Sequence, residues 1–323
     1  MSLSVLVTGG LGYVGGRIVE RLCQRTDCKL KVGTRGTSSD KPSWLEVGDL
    51  VAMDFSDLTS LRSACRSVDV IVHMAALNEN DSMVDPLAAL TVNGMGTLKL
   101  LQAARQESVK RFIYFSTAHV YGAPLSGHIT EQTLPRPMHP YAITHRTAED
   151  FVLAAHDKKE VTGIVVRLSN AVGAPIMPSV NRWTLVANEL CRQAVTENRL
   201  VLRSSGLQRR DFIPLTDVVN AVEHLLVLPA RECGNGLFNL GGGISHSILE
   251  IAKLIAQRAG TVLGAVPELE VMSAGLAEKE NVLQYDVTKL QETGFRGVGE
   301  IGMEIDDTLR MCQTWFGRKN VAG

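Results

Sequence analysis

The chain has 323 residues, of which 45% are hydrophobic and 21% charged, a composition typical of a globular protein with one large or two small domains. Its 33 lysines and arginines nearly balance its 34 aspartates and glutamates, so there is no overall basic field for binding nucleic acid. The apolar runs are far shorter than the roughly 20 residues of a membrane-spanning helix, and the first residues show no secretory signal pattern. We therefore expect a cytoplasmic protein with neither nucleic acid nor a membrane as its partner.

The spacing of the cysteines and histidines predicts neither a disulfide framework nor a metal site. The six cysteines include no Cys-x-x-Cys motif, and the eight histidines include no His-Glu-x-x-His pattern. Disulfide frameworks and zinc sites depend on such spacings. We interpret the cysteines as buried thiols.

Short apolar runs alternate with stretches of helical length through the first half of the chain. The runs predicted to be buried strands are residues 4–7, 30–33, 50–53, 70–73, 112–115 and 163–167. Between the first two, Val14, Ile18 and Leu22 recur at the four-residue spacing of a helix that packs on a sheet. This alternation predicts an α/β fold with a Rossmann-like, doubly wound parallel sheet.

A glycine-rich segment, residues 8–15 (TGGLGYVG), follows the first predicted strand and opens the first helix. Gly9 permits a tight turn, Gly12 lets the backbone approach a pyrophosphate, and Gly15 lets helix and strand pack closely. Tyr13 and Val14 begin the helix, whose N-terminus attracts an anion. In this strand-to-helix position the segment predicts a dinucleotide site, the alternative being an ordinary tight turn.

The residues after the second and third strands bear on which dinucleotide binds. An NAD site usually places a carboxylate at the end of the second strand, where this chain has Thr34-Arg35. Arg35 is placed to pair with a 2′-phosphate, which favours NADP over NAD, although it can also stack on the adenine or remain solvated. Asp54 and Phe55 fit an adenine contact, with Asp54 reaching the exocyclic amine; a surface turn is the alternative.

After Gly173 the alternation of apolar runs and stretches of helical length becomes less regular. It predicts a proline-containing loop, a helix around residues 183–193, a short strand at 200–203 and an irregular return to 238–243. We expect a smaller C-terminal lobe over the carboxyl edge of the sheet. The predicted dinucleotide-binding domain is 1–172, with 211–240 returning to it, and the predicted substrate-binding lobe is 173–210 and 241–323.

Seven motifs occur in the order of one known family. They are residues 8–15, 70–76 (VIVHMAA), 93–97 (NGMGT), 116–122 (STAHVYG), 140–141 (PY), 167–170 (RLSN) and 210–213 (RDFI). The chain resembles the extended short-chain dehydrogenase/reductases, specifically the nucleotide-sugar epimerases, dehydratases and reductases, over almost its whole length. The resemblance implies an NAD(P) cofactor, with Ala75 and Asn93 in its site, and a nucleotide-diphosphate sugar as substrate.

In that family a Ser or Thr, a Tyr, and a Lys four residues after the Tyr carry the redox step. The matching positions are Thr117, Tyr141 and His145, so histidine replaces the lysine. Tyr must exchange a proton with a sugar hydroxyl, yet a free phenol titrates near pH 10 unless a cation lowers its pKa. Histidine is mostly neutral at pH 7. We expect His145 to bind the cofactor ribose and to activate Tyr141 less well than lysine would.

His119 lies two residues after Thr117. There, GDP-fucose synthase-like members carry an epimerising cysteine, and sugar 4,6-dehydratases carry the second residue of an Asp-Glu pair. Here that pair is Ala118-His119, which argues against an ordinary dehydratase. Histidine suits acid/base work near neutrality; alternatively, His119 hydrogen-bonds substrate hydroxyls or fills space beside the cofactor.

On the substrate side, Arg210 resembles the family arginine that binds the nucleotide diphosphate, and Asn170 resembles an asparagine that fixes a diphosphate or sugar contact. Arg182 is expected to line the same cleft. A second pyrophosphate arginine is not evident ahead of Asp286, where Lys279 is the nearest cation.

The leading interpretation is an NAD(P)-dependent nucleotide-sugar epimerase that oxidises C4 transiently and returns the hydride to the other face. A 4-keto reductase/epimerase or a dehydratase of the same family is the alternative enzyme. The alternative of another class is a non-catalytic dinucleotide-binding regulator in which Tyr141 and His145 are relics. The resemblance also implies a homodimer formed by helices near residues 87–106 and 141–156.

Overall fold

The computed structural model describes residues 2–36, 41–272 and 281–317; Lys279 lies outside them. The strands are β1 (Leu3–Thr8), β2 (Cys28–Thr34), β3 (Asp49–Ala52), β4 (Val70–His73), β5 (Arg111–Thr117), β6 (Gly127–Ile129), β7 (Thr162–Leu168), β8 (Asn170–Val172), β9 (Arg199–Leu202), β10 (Arg209–Pro214), β11 (Leu237–Leu240), β12 (Ser245–Ser247), β13 (Glu268–Val271) and β14 (Leu283–Tyr285). The α-helices are α1 (Tyr13–Cys23), α2 (Leu58–Cys65), α3 (Glu79–Val84), α4 (Pro86–Ala89), α5 (Gly96–Gln106), α6 (Pro140–Asp157), α7 (Val186–Glu197), α8 (Leu215–Val227), α9 (Ile248–Leu263), α10 (Thr288–Glu292) and α11 (Ile301–Phe316). A π-helical segment, Leu90–Met95, joins α4 to α5.

The central sheet has the strand order β11-β7-β5-β4-β1-β2-β3, and all of its strand pairs are parallel. Its strands are apolar on both faces because helices cover both. Side chains of a strand point alternately to the two faces, and accordingly Val5 and Val7 join one core while Leu6 joins the other. The predicted doubly wound parallel sheet is confirmed.

Helices on each face complete the two cores. On one face, Ile18 of α1 and Val222 of α8 are fully buried. On the other, Leu61 of α2, Leu101 of α5 and Val152 of α6 are buried together. The spacing of Ile18 and Leu22 therefore predicted the buried stripe of α1 correctly.

The C-terminal half is more regular than the sequence indicated. The predicted helix at 183–193 is α7, shifted toward the C-terminus, and the predicted strand at 200–203 is β9. The expected irregular return instead contains β10, α8 and β11, and β11 extends the central sheet by pairing with β7. A separate core that includes Leu190, Ile251 and Leu309 lies among α7, α9 and α11.

A buried ion pair fixes α6 against the central sheet. Arg167 of β7 donates to both carboxylate oxygens of Glu149 in α6, at 2.9 and 2.6 Å, and both side chains are almost wholly buried. The Arg167 guanidinium also lies over the Tyr121 ring, 4.6 Å from its centroid. Because removing one member of such a pair leaves a buried charge, this contact strongly determines where α6 sits.

Within the described ranges, no helix has both the length and the apolar character needed to cross a bilayer.

Candidate active site

A cleft of about 1320 Å³ lies at the carboxyl ends of the central strands, where parallel sheets bind ligands. It is lined by the following predicted site residues: Gly9, Gly12, Tyr13, Val14, Gly15, Arg35, Asp54, Phe55, Ala75, Thr117, His119, Tyr141, His145, Asn170 and Arg210. Residues from the N-terminal turn and from position 210 therefore meet at one place. Asn93 is not among the lining residues.

The glycine turn packs so closely on neighbouring backbone that it leaves no room for side chains. Gly9 has φ +70°, and a Cβ there would lie 2.9 Å from the Ala75 nitrogen. A Cβ at Gly15 would lie 2.2 Å from the Gly9 carbonyl oxygen, and one at Gly12 would lie 3.1 Å from the same oxygen. Gly12 caps α1 without a side-chain hydrogen bond, so the first N–H groups of the helix are available to an anion. These features fit a dinucleotide pyrophosphate.

Tyr13 links this turn to the C-terminal lobe. Its buried hydroxyl donates to the Gly173 carbonyl at 2.9 Å. One turn along α1, Arg17 donates to the carboxylate of Glu304 at 2.8 Å and to the Ala174 carbonyl at 3.2 Å. The helix that begins at the glycine turn therefore also holds the chain where it enters the lobe.

The part of the cleft predicted to bind adenosine is lined by Arg35, Asp54 and Phe55. Arg35 is exposed, and among the residues with described positions no carboxylate lies within ion-pair distance of it. Asp54 accepts two hydrogen bonds from Ser56, from the amide and the hydroxyl, both at 2.7 Å, and these lower the pKa of its carboxyl. Phe55 stacks against His73, with ring centroids 5.8 Å apart.

Both polar atoms of the Asn93 side chain form hydrogen bonds within the protein. Its side-chain oxygen accepts from the Leu77 amide at 2.8 Å, and its side-chain nitrogen donates to the Thr144 hydroxyl at 3.0 Å. The residue is 1% exposed. It thus holds the segment after β4 against α6, behind the wall of the cleft.

Tyr141 and His145 share one face of α6, as their spacing predicts. Pro140 occupies the first turn, and the His139 side chain accepts from the Ala142 amide, so the helix begins immediately before Tyr141. The rings of Tyr141 and His145 make an edge-to-face contact with centroids 4.4 Å apart. The predicted pair of side chains is therefore in direct contact.

Thr117 ends β5 at the floor of the cleft. Its hydroxyl oxygen accepts from the His119 amide at 3.2 Å, which starts a short 3-10 turn at Ala118–Tyr121. That turn directs the chain so that Thr117 and His119 both line the cleft. The His119 ring lies 5.6 Å from that of His139.

Burial keeps these rings neutral in the protein alone. It raises the pKa of Tyr141, with a smaller contribution from the Glu79 carboxylate. It lowers the pKa of His145 to about 4 and also lowers the pKa of His119, to which His139 contributes. At pH 7 His145 is therefore an uncharged hydrogen-bonding group and cannot activate the phenol as a cation. Such perturbed groups in one cleft are typical of functional sites.

Arg210 supplies a positive charge at the other end of the cleft. Its guanidinium donates to the Gln208 side-chain oxygen at 3.3 and 2.9 Å, and no carboxylate of the described chain lies within 4 Å of it. Asn170 donates to the Asp211 carbonyl at 2.9 Å beside it. A largely buried cation without a counter-ion fits an anionic ligand such as a diphosphate.

Two features of the cleft escaped the sequence analysis. Glu79, at the start of α3, pairs with Arg182 at 3.0 Å, and both residues line the cleft. The Tyr114 hydroxyl lies 2.7 Å from Nδ1 of His145. Position in sequence offers little signal for either, since the first pair is separated by 103 residues and the second by 31.

Comparison with known proteins places these features in a family. A family model described as the NAD dependent epimerase/dehydratase family matches residues 5–241. The chain is 29% identical over 266 residues to dTDP-D-glucose 4,6-dehydratase of Mus musculus, covering 78% of this chain and 72% of that protein. It is 27% identical over 283 residues to UDP-glucose 4-epimerase of Streptococcus mutans, covering 81% and 84% respectively.

A solved structure of UDP-glucose 4-epimerase from Thermotoga maritima, with UDP-glucose, superposes with a TM-score of 0.81 at 21% identity. The match covers 97% of this chain and 99% of that chain, which shows the common fold. These similar proteins are named as enzymes, which does not favour the non-catalytic alternative. Because the family model matches well over half of the sequence, the chain belongs to the NAD dependent epimerase/dehydratase family.

Proposed function

We propose that the protein is an NAD(P)-dependent nucleotide-sugar epimerase that oxidises the C4 hydroxyl of its substrate transiently. The observation that carries the proposal is that Thr117 and Tyr141 line the same cleft as the glycine turn and Arg210. Hydride transfer needs a cofactor and a proton-exchanging group side by side, and a nucleotide sugar needs a cation for its diphosphate. The cleft offers a glycine turn for the cofactor, Tyr141 for proton exchange and Arg210 for the diphosphate.

The chain's own residues then have separate tasks. Arg210, with Asn170 beside it, holds the diphosphate and so sets the depth at which the sugar lies. Tyr141 takes the proton from the sugar hydroxyl oxygen as its phenolate and later returns it, while Thr117 hydrogen-bonds the same oxygen; the positive charge of an oxidised nicotinamide would favour that ionised form when the cofactor is bound. His145, neutral in the buried site, binds the cofactor ribose. In this proposal, residues 1–172 and 211–240 bind the dinucleotide, and residues 173–210 and 241–323 bind the sugar nucleotide.

The glycine turn would hold the cofactor pyrophosphate, with Ala75 and Tyr13 beside it and Asp54 and Phe55 toward the adenine. A dinucleotide held there would supply reversible hydride exchange with the sugar carbon, so that no cofactor would be consumed. We propose NADP as the preferred form because Arg35 is exposed just after β2 and has no carboxylate within ion-pair distance among the residues that the structure describes. Replacing Arg35 by Ser should weaken NADPH binding roughly tenfold and leave NADH binding unchanged; equal losses for both would contradict this preference.

A second candidate, a 4-keto reductase with epimerisation, is favoured by His119. Its pKa is lowered by burial, and Nδ1 is buried without a hydrogen-bond partner in the described structure. A neutral imidazole nitrogen of this kind can accept a proton from a carbon next to a ketone, because the carbonyl acidifies that C–H bond. Stoichiometric loss of NADPH would identify the reductase, whereas the epimerase recycles its cofactor.

The deciding experiment is proton NMR of the protein in deuterated water with UDP-, GDP- and dTDP-sugars, each with NADP or NAD. Isomerised sugar without deuterium would support hydride return at C4 through Tyr141. Deuterium next to a carbonyl would instead support acid/base work by His119. The variant Tyr141→Phe is the matched control, since it keeps the ring and removes only the proton-exchanging hydroxyl; full turnover by this variant would refute the assigned role.

We also propose a homodimer formed by the surface of α3, α4 and α6. Three apolar side chains there are strongly exposed: Val84 at 87%, Leu87 at 78% and Met83 at 58%. Ile143 and Phe151 of α6 are also exposed. An apolar patch of this kind is typical of a protein interface. Light scattering should give twice the chain mass of 35.0 kDa, and Leu87→Glu should give the single-chain mass.

A further inference from the structure

His145 forms a hydrogen bond with Tyr114, a residue outside the Ser/Thr, Tyr and Lys set described for the family. Tyr114 lies in β5 and is not among the residues that line the cleft, and its hydroxyl is 2.7 Å from Nδ1 of His145. Both residues are buried, with 2% and 3% of their surfaces exposed. Their hydrogen bond is therefore shielded from water, where such a bond is electrostatically strong.

The other imidazole nitrogen has a different environment. Nε2 of His145 is buried and has no hydrogen-bond partner among the residues whose positions are described, and His145 lines the cleft. A buried polar atom without a partner costs free energy unless a ligand or water satisfies it. The ring thus has one nitrogen bonded to the protein and one left for a ligand.

The direction of the hydrogen bond decides what that second nitrogen can do. A neutral imidazole carries one proton. If the Tyr114 O–H donates to Nδ1, the proton of the ring is on Nε2, which can then donate into the cleft. If Nδ1–H donates to the Tyr114 oxygen, Nε2 can only accept.

Neighbouring bonds favour Tyr114 as the donor. The Thr97 hydroxyl, which also interacts with the phenol, gives its own proton to the Asn93 carbonyl at 2.5 Å and is in contact with Nε2 of His73 at 2.9 Å. Nδ1 of His145 is the acceptor that leaves the Tyr114 proton satisfied at 2.7 Å. A donating Nε2–H also reproduces what the lysine ammonium offers a ribose, namely a proton for its hydroxyl oxygens.

We propose that Tyr114 is a positioning residue: its hydroxyl donates to Nδ1 of His145 and so presents Nε2–H to the ribose of the bound dinucleotide. The inference rests on the proposed dinucleotide-dependent function. In this proposal Tyr114 compensates for the presence of histidine instead of lysine at position 145. A histidine whose tautomer is fixed by the Tyr114 hydrogen bond always presents a donor at Nε2, whereas histidine would otherwise do so only part of the time.

The direct test is nitrogen NMR of the histidine-labelled full-length protein at pH 7.5, with the His145 signals assigned from their loss in His145→Gln. We expect a proton on Nε2 and a hydrogen-bonded, unprotonated Nδ1. In Tyr114→Phe the Nδ1 resonance should move, since only the phenol oxygen is removed. A proton on Nδ1 of the unmodified protein would overturn the proposal.

Dinucleotide binding gives a second readout that needs no sugar. Tyr114→Phe should weaken NADPH binding roughly tenfold, about the value of one well-placed hydrogen bond. The matched control is Tyr121→Phe, which also removes a buried phenol oxygen, one that bonds Asn239 at 2.7 Å, and which should leave the affinity and the His145 signals unchanged. Unchanged NADPH affinity in Tyr114→Phe would refute the positioning role.

A double-mutant cycle separates positioning from general damage to the fold. In the His145→Gln background, Tyr114→Phe should have little further effect on NADPH affinity, because Tyr114 acts through the imidazole. Equal losses in both backgrounds would show that Tyr114 acts through something else. If Tyr114→Phe does not fold, the tautomer of the unmodified protein still decides the proposal. These readouts are independent of sugar turnover, so a failure of the epimerase proposal is distinguishable from a failure of this one.

Discussion

The neutral, buried His145 predicts a specific dependence of stability on pH. Burial lowers its pKa from 6.5 to about 4, so the unfolded chain takes up a proton at a pH where the folded protein does not. The stabilisation is complete above pH 6.5 and is lost as the pH falls toward 4. A difference of this size corresponds to about 3 kcal/mol in full, of which about 2 kcal/mol is lost between pH 8 and pH 5.

The variant His145→Gln has no titrating group at this position and should lose about 2 kcal/mol less free energy of unfolding than the unmodified protein between pH 8 and pH 5. Urea unfolding followed by the fluorescence of the three tryptophans measures this difference. His246→Gln is the matched control, since 36% of its side chain is exposed, and its stability should fall with pH as in the unmodified protein. Identical losses in His145→Gln and the unmodified protein would show that the imidazole is charged in the fold and would refute the reasoning.

Three other substitutions probe the cleft. Gly15→Ala should abolish NADPH binding in calorimetry, because the added Cβ would lie 2.2 Å from the Gly9 carbonyl oxygen; retained affinity would contradict the proposed pyrophosphate site. Arg210→Gln should weaken binding of UDP, used as a probe, roughly ten- to one-hundredfold and leave NADPH binding unchanged, as expected for the loss of charge-assisted hydrogen bonds; an unchanged UDP affinity would place the diphosphate elsewhere. Tyr141→Phe should lower kcat at least one hundredfold with NADPH affinity retained, and a lower affinity with normal kcat would reverse the assigned role.

The parts of the fold that could be predicted from the sequence are those in which apolar residues recur at a regular local spacing. The first six central strands and α1 follow from apolar runs and four-residue spacing, and the glycine turn follows from its position between them. The short strand β11 did not, because four residues flanked by Gly234, Gly236 and Gly241 carry too little period to separate a strand from a loop. Its place beside β7 is set by tertiary packing.

The site divides in the same way. Spacing along α6 correctly predicted that Tyr141 and His145 share a face, since both lie on one helix. The contact between Tyr114 and His145 depends on how β5 and α6 dock, and the pair of Glu79 and Arg182 depends on how the lobe covers the sheet. The spacing of residues along the sequence gives no information on either of these packing arrangements. It also could not indicate that His145 is buried enough to lose its charge.

Tyr13 connects the two halves of the cleft through a single side chain. It stands at the first position of α1, at the turn proposed for the pyrophosphate, while its hydroxyl fixes the Gly173 carbonyl at the entry to the lobe. We expect a ligand that shifts the segment around Gly173 to change the affinity for a dinucleotide bound at this turn, because the Tyr13 hydrogen bond joins the two. By reciprocity, the dinucleotide changes the affinity for that ligand by the same factor.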